Sequence, residues 1–346
     1  MDGRRRILRS TLALLTLAGL ADYSLAIDQA LVEAAKKEGE VNWYTSLVVN
    51  QASRPIAAAF EKEYPGIKVR VTSGTANDLL LKLMAEGQAN SMRGDVSHGG
   101  SAFGSLLKSG QVAQYVPVES KRYPEQYKDP SGFGTGHYIS FLVPAINTDL
   151  VKEKDEPRSW NDLLDPKWAG KMAWTQQMTQ GGPPGFIGAT LSAQGPDQGM
   201  AYLKKLSQQK IVNVPANQRV VLDQVIAGQY PLALSTFSHH SELSLKKGAP
   251  VKWLKFEYVT GTVDPIFMMK GAPHPNAAKL FIEYVLSKKG QEIIQAADYI
   301  PADPQVPASI PRLKPETGGF KAVFLPLQQV EAELPKWVKI YGELFK

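Results

Sequence analysis

The feature that most constrains this chain is a recurring unit: a short β-branched or apolar run, a polar loop, then an amphipathic helical stretch. Glu40 to Tyr44 reads as a strand running into Thr45-Ser46, with a helix around Pro55 to Tyr64. Ile67 to Thr72 is a second strand, followed by Ser73-Gly74-Thr75 and a helix over Asp78 to Glu86. A third begins at Asp95 and passes through His98-Gly99-Gly100-Ser101 into a helix ending at Ser109. Alternation of this kind predicts α/β lobes with largely parallel sheets. In such open sheets ligands sit beyond the carboxyl ends of the strands, where helix N-termini offer free N–H groups, so each of these loops is a candidate wall of a site.

Tyr138 to Asn147 breaks the rhythm and reads as a long extended segment crossing between two lobes. A second series follows. Lys171 to Trp174 leads into Thr175-Gln176-Gln177, Ile211 to Val214 into Pro215-Ala216-Asn217-Gln218 before a helix over Val220 to Ala227, and Leu232 to Phe237 into Ser238-His239-His240. Val263 to Met269 is expected to return to the first lobe. The lobes are accordingly expected at 27–138 plus 263–310 and at 139–262 plus 311–346. No internal repeat is visible.

A hydrophobic content of 43% over 346 residues suffices for two buried cores and argues against disorder. Arg4, Arg5, Arg6 and Arg9, the apolar run Leu12 to Leu20 and Ser24-Leu25-Ala26 together read as a signal peptide over 1–26, cleaved after Ala26. Arg4-Arg5-Arg6 also lies close to a twin-arginine export pattern, so the Sec and twin-arginine routes both stand. The expected location is the periplasm. That apolar run falls well short of the roughly 20 residues that span a bilayer, so no membrane anchor is expected. The absence of cysteine excludes disulfides, thiolate metal sites and cysteine nucleophiles. The net charge of +6 is partly carried by the leader arginines. Lysine pairs such as Lys204-Lys205, Lys246-Lys247 and Lys288-Lys289 read as solvated helix faces, and no basic stripe with stacking aromatics marks a nucleic-acid groove.

Two segments carry a family resemblance. Ser159 to Trp174, SWNDLLDPKWAGKMAW, reads as a short helix (Trp160 to Leu164), a turn at Pro166, a stop at Gly170 and a buried strand from Met172. Gly271 to Ile293, GAPHPNAAKLFIEYVLSKKGQEI, reads as a helix capped by Asn276, with Leu280, Phe281, Tyr284 and Val285 as its buried stripe and Gly290 as its breaker. Both resemble the periplasmic solute-binding proteins of ABC importers, in the family-1 branch that includes the ferric-iron binders. Asp95-Val96, Asn147-Thr148-Asp149-Leu150 and Gly248-Ala249-Pro250-Val251 extend the likeness over nearly the whole mature chain. The resemblance implies a type II periplasmic-binding-protein fold: two lobes, each a mainly parallel sheet flanked by helices, with the ligand cleft between them. It also implies a monomer that closes on a small-molecule ligand and delivers it to permease subunits, with no catalytic residue and no cofactor.

The chain departs from that branch at the ligand. Ferric members are marked by two adjacent tyrosines a little upstream of a GAPV-like segment; here that place holds His239-His240, and no adjacent tyrosine pair exists anywhere. Imidazole suits zinc, copper or nickel better than ferric iron. For this pair a structural role, a contact to an anion or polar group, and a metal-ligand role (His239, His240) compete, and its position after a buried strand favours the second. Thr45, Ser46, Ser73, Thr75 and Ser101 from one lobe, and Thr175, Gln176, Asn217 and Ser238 from the other, complete the candidate ligand shell, although each is equally suited to capping a helix. Asp264 is placed to fix a ligand amine or a histidine, with turn chemistry as the competing reading. His98 is as suited to a structural role as to the cleft, and His274 reads as structural. The expected cargo is a small polar, anionic organic solute of carboxylate, phosphate or phosphonate type. A ferric or iron-chelate site without tyrosines is the alternative. A secreted α/β hydrolase is remote, because G-x-S-x-G and H-E-x-x-H are both absent.

Overall fold

A computed structural model describes residues 28–346; the leader reading falls outside them. Twelve strands among the described residues form one sheet: β1 (Glu40–Thr45), β2 (Lys68–Ser73), β3 (Val96–His98), β4 (Val112–Ala113), β5 (Thr135–Asn147), β6 (Met172–Thr175), β7 (Val212–Val214), β8 (Leu232–Phe237), β9 (Val251–Trp253), β10 (Val259–Met269), β11 (Ile300–Pro301) and β12 (Ala322–Phe324). The main order is β2-β1-β3-β10-β5-β8-β6-β7. β1 lies parallel to β2 and β3, and β6 parallel to β7 and β8, so each lobe has a parallel trio. The long strands β5 and β10 join the trios and run antiparallel to each other and to their outer neighbours.

The β5–β10 ladder has one irregularity. Asp264 pairs with Tyr138 and Pro265 with Gly136, which leaves His137 as the extra residue of a β-bulge. Pro265 has no N–H to give the ladder, so a break in pairing here costs little.

Each lobe has its own aromatic centre. In the first, Trp43 on β1 packs on Phe281 at 5.0 Å, and Phe281 on Phe60 at 5.2 Å. In the second, Trp160 packs on Phe186 at 5.2 Å and donates from Nε1 to the Tyr258 carbonyl at 3.0 Å. The expected helix before β6 is two short 3-10 turns, Asn161–Leu164 and Pro166–Trp168, and Gly170, at φ 72°, turns the chain into the strand.

Two local readings are corrected. Asn276 does not cap its helix. The helix is Pro275–Leu286, because Pro275 pre-sets helical φ one residue earlier, and the first-turn donors go to a carboxylate from another helix. Glu38 accepts from the Asn276 and Ala277 backbone N–H groups at 3.1 and 2.7 Å and from the Asn276 side chain at 2.6 Å. Gly290 does not break the helix either. Ser287 ends it and caps the next helix, Lys288–Ala296, by accepting from Gly290 N–H. A Cβ at Gly290 would lie 2.2 Å from the Tyr284 carbonyl, so the glycine is what lets the two helices meet.

Candidate ligand-binding cleft

The carboxyl ends of β1 and β3 bring together the first polar constellation. His98, the last residue of β3, is buried, and its Nδ1 lies 2.8 Å from Asp264 Oδ1. Its Nε2 lies 2.8 Å from Thr45 Oγ1 and accepts from Ser46 N–H at 3.2 Å. A backbone amide can only donate, so Nε2 carries the lone pair and the proton sits on Nδ1, facing Asp264. His137, in the bulge, donates from Nδ1 to the Asp264 carbonyl at 2.8 Å, which leaves its buried Nε2 as an acceptor with no partner. Burial and the neighbouring His98 push the His137 pKa down to about 3. Burial alone would raise the Asp264 carboxyl, but the hydrogen bond from His98 and the electrostatic pull of the His98 and His137 rings, with a smaller contribution from Tyr138, outweigh it and hold the group below the ordinary aspartate value. Tyr138 and Tyr299, both half-buried, stand beside it with ring centroids 5.1 Å apart.

The second constellation sits after β8. The helix Ser238–Lys246 has no side-chain cap, so its first N–H groups are free of one. His239 and His240 occupy its first turn with rings 4.3 Å apart, each packing on Phe237 at 5.5 Å. Nδ1 of both histidines is buried without a partner, as are the hydroxyls of Ser238 and Ser241. Desolvation lowers His239 to about 3, helped by His240, and lowers His240 to about 4, helped by Arg219. Both rings are therefore neutral at neutral pH.

The loop after β6 lies between these two groups. A Cβ at Gly100 would sit 3.5 Å from Gln180 Oε1 and 3.3 Å from the Val263 carbonyl, so this loop closes on the first lobe beside Asp264. A Cβ at the next loop residue, Gly181, would lie 3.8 Å from the Phe237 ring, on the second lobe. The helix Gly100–Lys108 also begins without a side-chain cap.

The other candidates divide by what already holds them. Thr45 is fully buried, and its hydroxyl, besides meeting His98, accepts from Leu47 N–H at 3.1 Å. Thr175 donates to the Ala216 carbonyl at 2.5 Å and accepts from Gln177 N–H. Thr75 and Asn217 cap the helices Ala76–Gln88 and Gln218–Ile226. These four are thus engaged within the protein, while Ser46, Ser73 and Gln176 are exposed. The Ser101 side chain lies outside the described ones. Gln176 borders a cavity of about 310 Å³ with Gln177, Met178, Pro215, Ala216 and Lys346. A larger one of about 540 Å³, between Met84, Gln111 and Lys270, touches none of the loops that follow β1, β2, β3, β6, β7 and β8. His274 bonds Asp95 at 2.9 Å, Arg219 pairs with Asp223 at 2.7 Å, and Trp174 is wholly in the core.

Tyr138 entered the sequence reading only as the start of an extended run, and Tyr299 not at all. His137, the residue just before that run, is the one local signal for the bulge. Tyr299 reaches the site through the pairing of β11 with β5, which no local pattern announces.

As for metals, His98, His137 and Asp264 are the described residues whose donor atoms gather closely, within 4.8 Å of one another. The hydrogen-bond pattern fits an ion poorly, because a metal on His98 Nδ1 would displace its proton while Ser46 N–H still occupies Nε2.

Residues 92–317 match the model of a family described as bacterial extracellular solute-binding protein. Iron uptake protein A1 of Synechocystis is 24% identical over 339 residues, covering 91% of this chain and 90% of its own. A putative 2-aminoethylphosphonate-binding periplasmic protein of Salmonella typhimurium is 26% identical over 214 residues, 58% of each chain. The periplasmic binding protein AfuA of Actinobacillus pleuropneumoniae, with exogenous fructose-6-phosphate bound, superposes with a TM-score of 0.71 at 22% identity, covering 89% of this chain and 98% of its own. The paired parallel trios, the two crossing strands and the family match over most of the chain agree: the protein belongs to the bacterial extracellular solute-binding proteins, in the branch similar to the periplasmic iron binders.

Proposed function

We propose that this chain captures a small anionic organic solute in the periplasm and passes it to the permease of an ABC importer. The observation that carries the anion is the start of the Ser238–Lys246 helix, which no side chain caps and where two histidine Nδ1 atoms and the Ser238 and Ser241 hydroxyls are buried without partners. Buried polar groups are normally paired, and a helix N-terminus favours negative charge. Neutral imidazoles there can each present an N–H to an oxyanion. The proposed shell is His239, His240 and Ser238, with Gln176, Ser46, Ser73, Ser101 and Asp264 at its rim; Thr45, Thr75, Thr175 and Asn217 shape it through the contacts above.

The lobes proposed are 27–138 plus 263–310 and 139–262 plus 311–346, hinged on β5 and β10. The chain is read as a monomer exported by the signal peptide 1–26 and carrying no anchor; no described helix is long and apolar enough to cross a membrane. Native mass spectrometry of protein purified from periplasm tests the cargo directly. A co-purified organic anion, lost from His239→Ala and His240→Ala, supports the reading, and unchanged retention in both variants refutes it.

Iron, free or as a chelate, is the second reading, favoured by the Synechocystis relative's name and extent. It must use the two histidines in place of tyrosines. Iron retained by the protein and lost from His239→Ala and His240→Ala supports this reading, and retention unchanged in both variants removes it. The hydrolase reading gains nothing from the order Thr45–His98–Asp264: although a hydroxyl, an imidazole and a carboxylate are aligned, Thr45 is fully buried and already accepts from Leu47 N–H.

A further inference from the structure

We infer that the solute also carries a protonated amine, seated against the Asp264 carboxylate beside the rings of Tyr138 and Tyr299. The inference rests on the reading of the cleft as a site for a small organic solute, and it makes that solute a zwitterion.

Asp264 has an unbalanced charge. Among the described residues its one ion-pair partner is His98, and the tautomer forced by Ser46 N–H makes that imidazole neutral. His137, which faces the same residue, is neutral as well, because burial holds its pKa near 3. A carboxylate offers about four acceptor positions, and here His98 takes one. The Asp264 side chain keeps 22% of its surface open. A partly buried carboxylate with free acceptor positions and no cation beside it is costly unless something completes it.

A metal ion is the less suitable completion. It would have to expel the Nδ1 proton of His98 while Nε2 still accepts from Ser46 and faces Thr45, which demands either an imidazolate or the loss of the Ser46 bond. An ammonium needs no such change. It adds donors to a carboxylate that already accepts from His98, and the faces of neighbouring tyrosines attract a cation. Tyr138 and Tyr299 stand 5.1 Å apart and both feel the charge of Asp264. One loop, the one after β6, approaches both Asp264's neighbour Val263 and Phe237 beside the histidine pair. Gly99 N–H donates to the Pro265 carbonyl at 3.0 Å, Gly100 lies by Val263 and Gln180, and the loop from Gln180 continues to Phe237.

The test is calorimetry with matched pairs that differ only in the amine: 2-aminoethylphosphonate against ethylphosphonate, and β-alanine against propionate. We expect an amine-bearing member to bind at least about tenfold more tightly than its partner, and Asp264→Asn to erase that difference. Equal binding within every pair, an Asp264→Asn protein that keeps the preference, or no binding by either amine-bearing member overturns the inference. So does saturation by zinc chloride alone that Asp264→Asn abolishes. The wild-type comparison needs no variant, so it decides the matter even where Asp264→Asn fails to fold. Equal binding within a pair that is lost on His240→Ala leaves the anion reading standing and removes the amine; ethylamine bound through Asp264, with no anion bound, does the reverse.

Discussion

The two histidine groups of this cleft are built on opposite principles. Around His98 most polar atoms are answered from within the chain: Nδ1 by Asp264, Nε2 by Thr45 and Ser46, and His137 Nδ1 by the Asp264 carbonyl, with His137 Nε2 left over. Around His239 and His240 buried donors and acceptors go unanswered. The first group therefore mainly holds a shape, with only the open side of the Asp264 carboxylate left for a ligand, and the second waits for a partner. Identical residue types do different work because one set lies where the two crossing strands β5 and β10 meet, and the other opens a helix.

The largest expected effect that would break this contrast is on stability. Asp264→Ala strands the buried His98 Nδ1–H, and is expected to cost about 1–3 kcal/mol in denaturant unfolding, whereas His239→Ala, which removes a ring with an orphaned nitrogen, is expected to cost less than about 1 kcal/mol. Equal costs would erase the distinction. In binding, His239→Ala or His240→Ala is expected to weaken the co-purifying solute by about 10- to 100-fold with little change in melting temperature, so these variants, unlike Asp264→Ala, separate affinity from stability.

Acidity sharpens the comparison further. The folded-state pKa of His137 lies near 3 against about 6.5 unfolded, so below pH 6.5 the unfolded chain takes up the proton first. Its contribution to stability is complete above pH 6.5 and falls by about 1.4 kcal/mol per pH unit towards pH 3. His137→Gln should flatten that slope in melting measurements between pH 7 and 5. A smaller effect belongs to a residue that only shapes the cleft: Asn217→Ala removes a cap and is expected to cost about 1 kcal/mol of stability while leaving affinity within about twofold.

The fold was legible because period and punctuation are local. β8 falls where the apolar run Leu232 to Phe237 predicts it, and β1, β2 and β6 lie within a residue or two of their readings. Asn276 and Gly290 misled for a shared reason: each was read against its own helix, while Glu38 and the close meeting of two helices decide what happens there. In the cleft, the sequence could nominate hydroxyls at strand ends but could not tell a spent one from a free one. Thr45 and Thr175 look like ligand donors until their acceptors are seen. Asp264 was read as fixing an amine or a histidine, and the structure shows the histidine.

The central claim is that His239 and His240 receive a negative charge from the solute. It is tested most directly by following the ¹⁵N shifts of their rings against pH, with and without the co-purified ligand. Without ligand both rings are expected to stay neutral down to about pH 4 or below. A bound anion stabilises the charged ring, so at least one apparent pKa is expected to rise by one unit or more and affinity to increase as pH falls through that value. Titration curves that coincide with and without ligand would contradict the account.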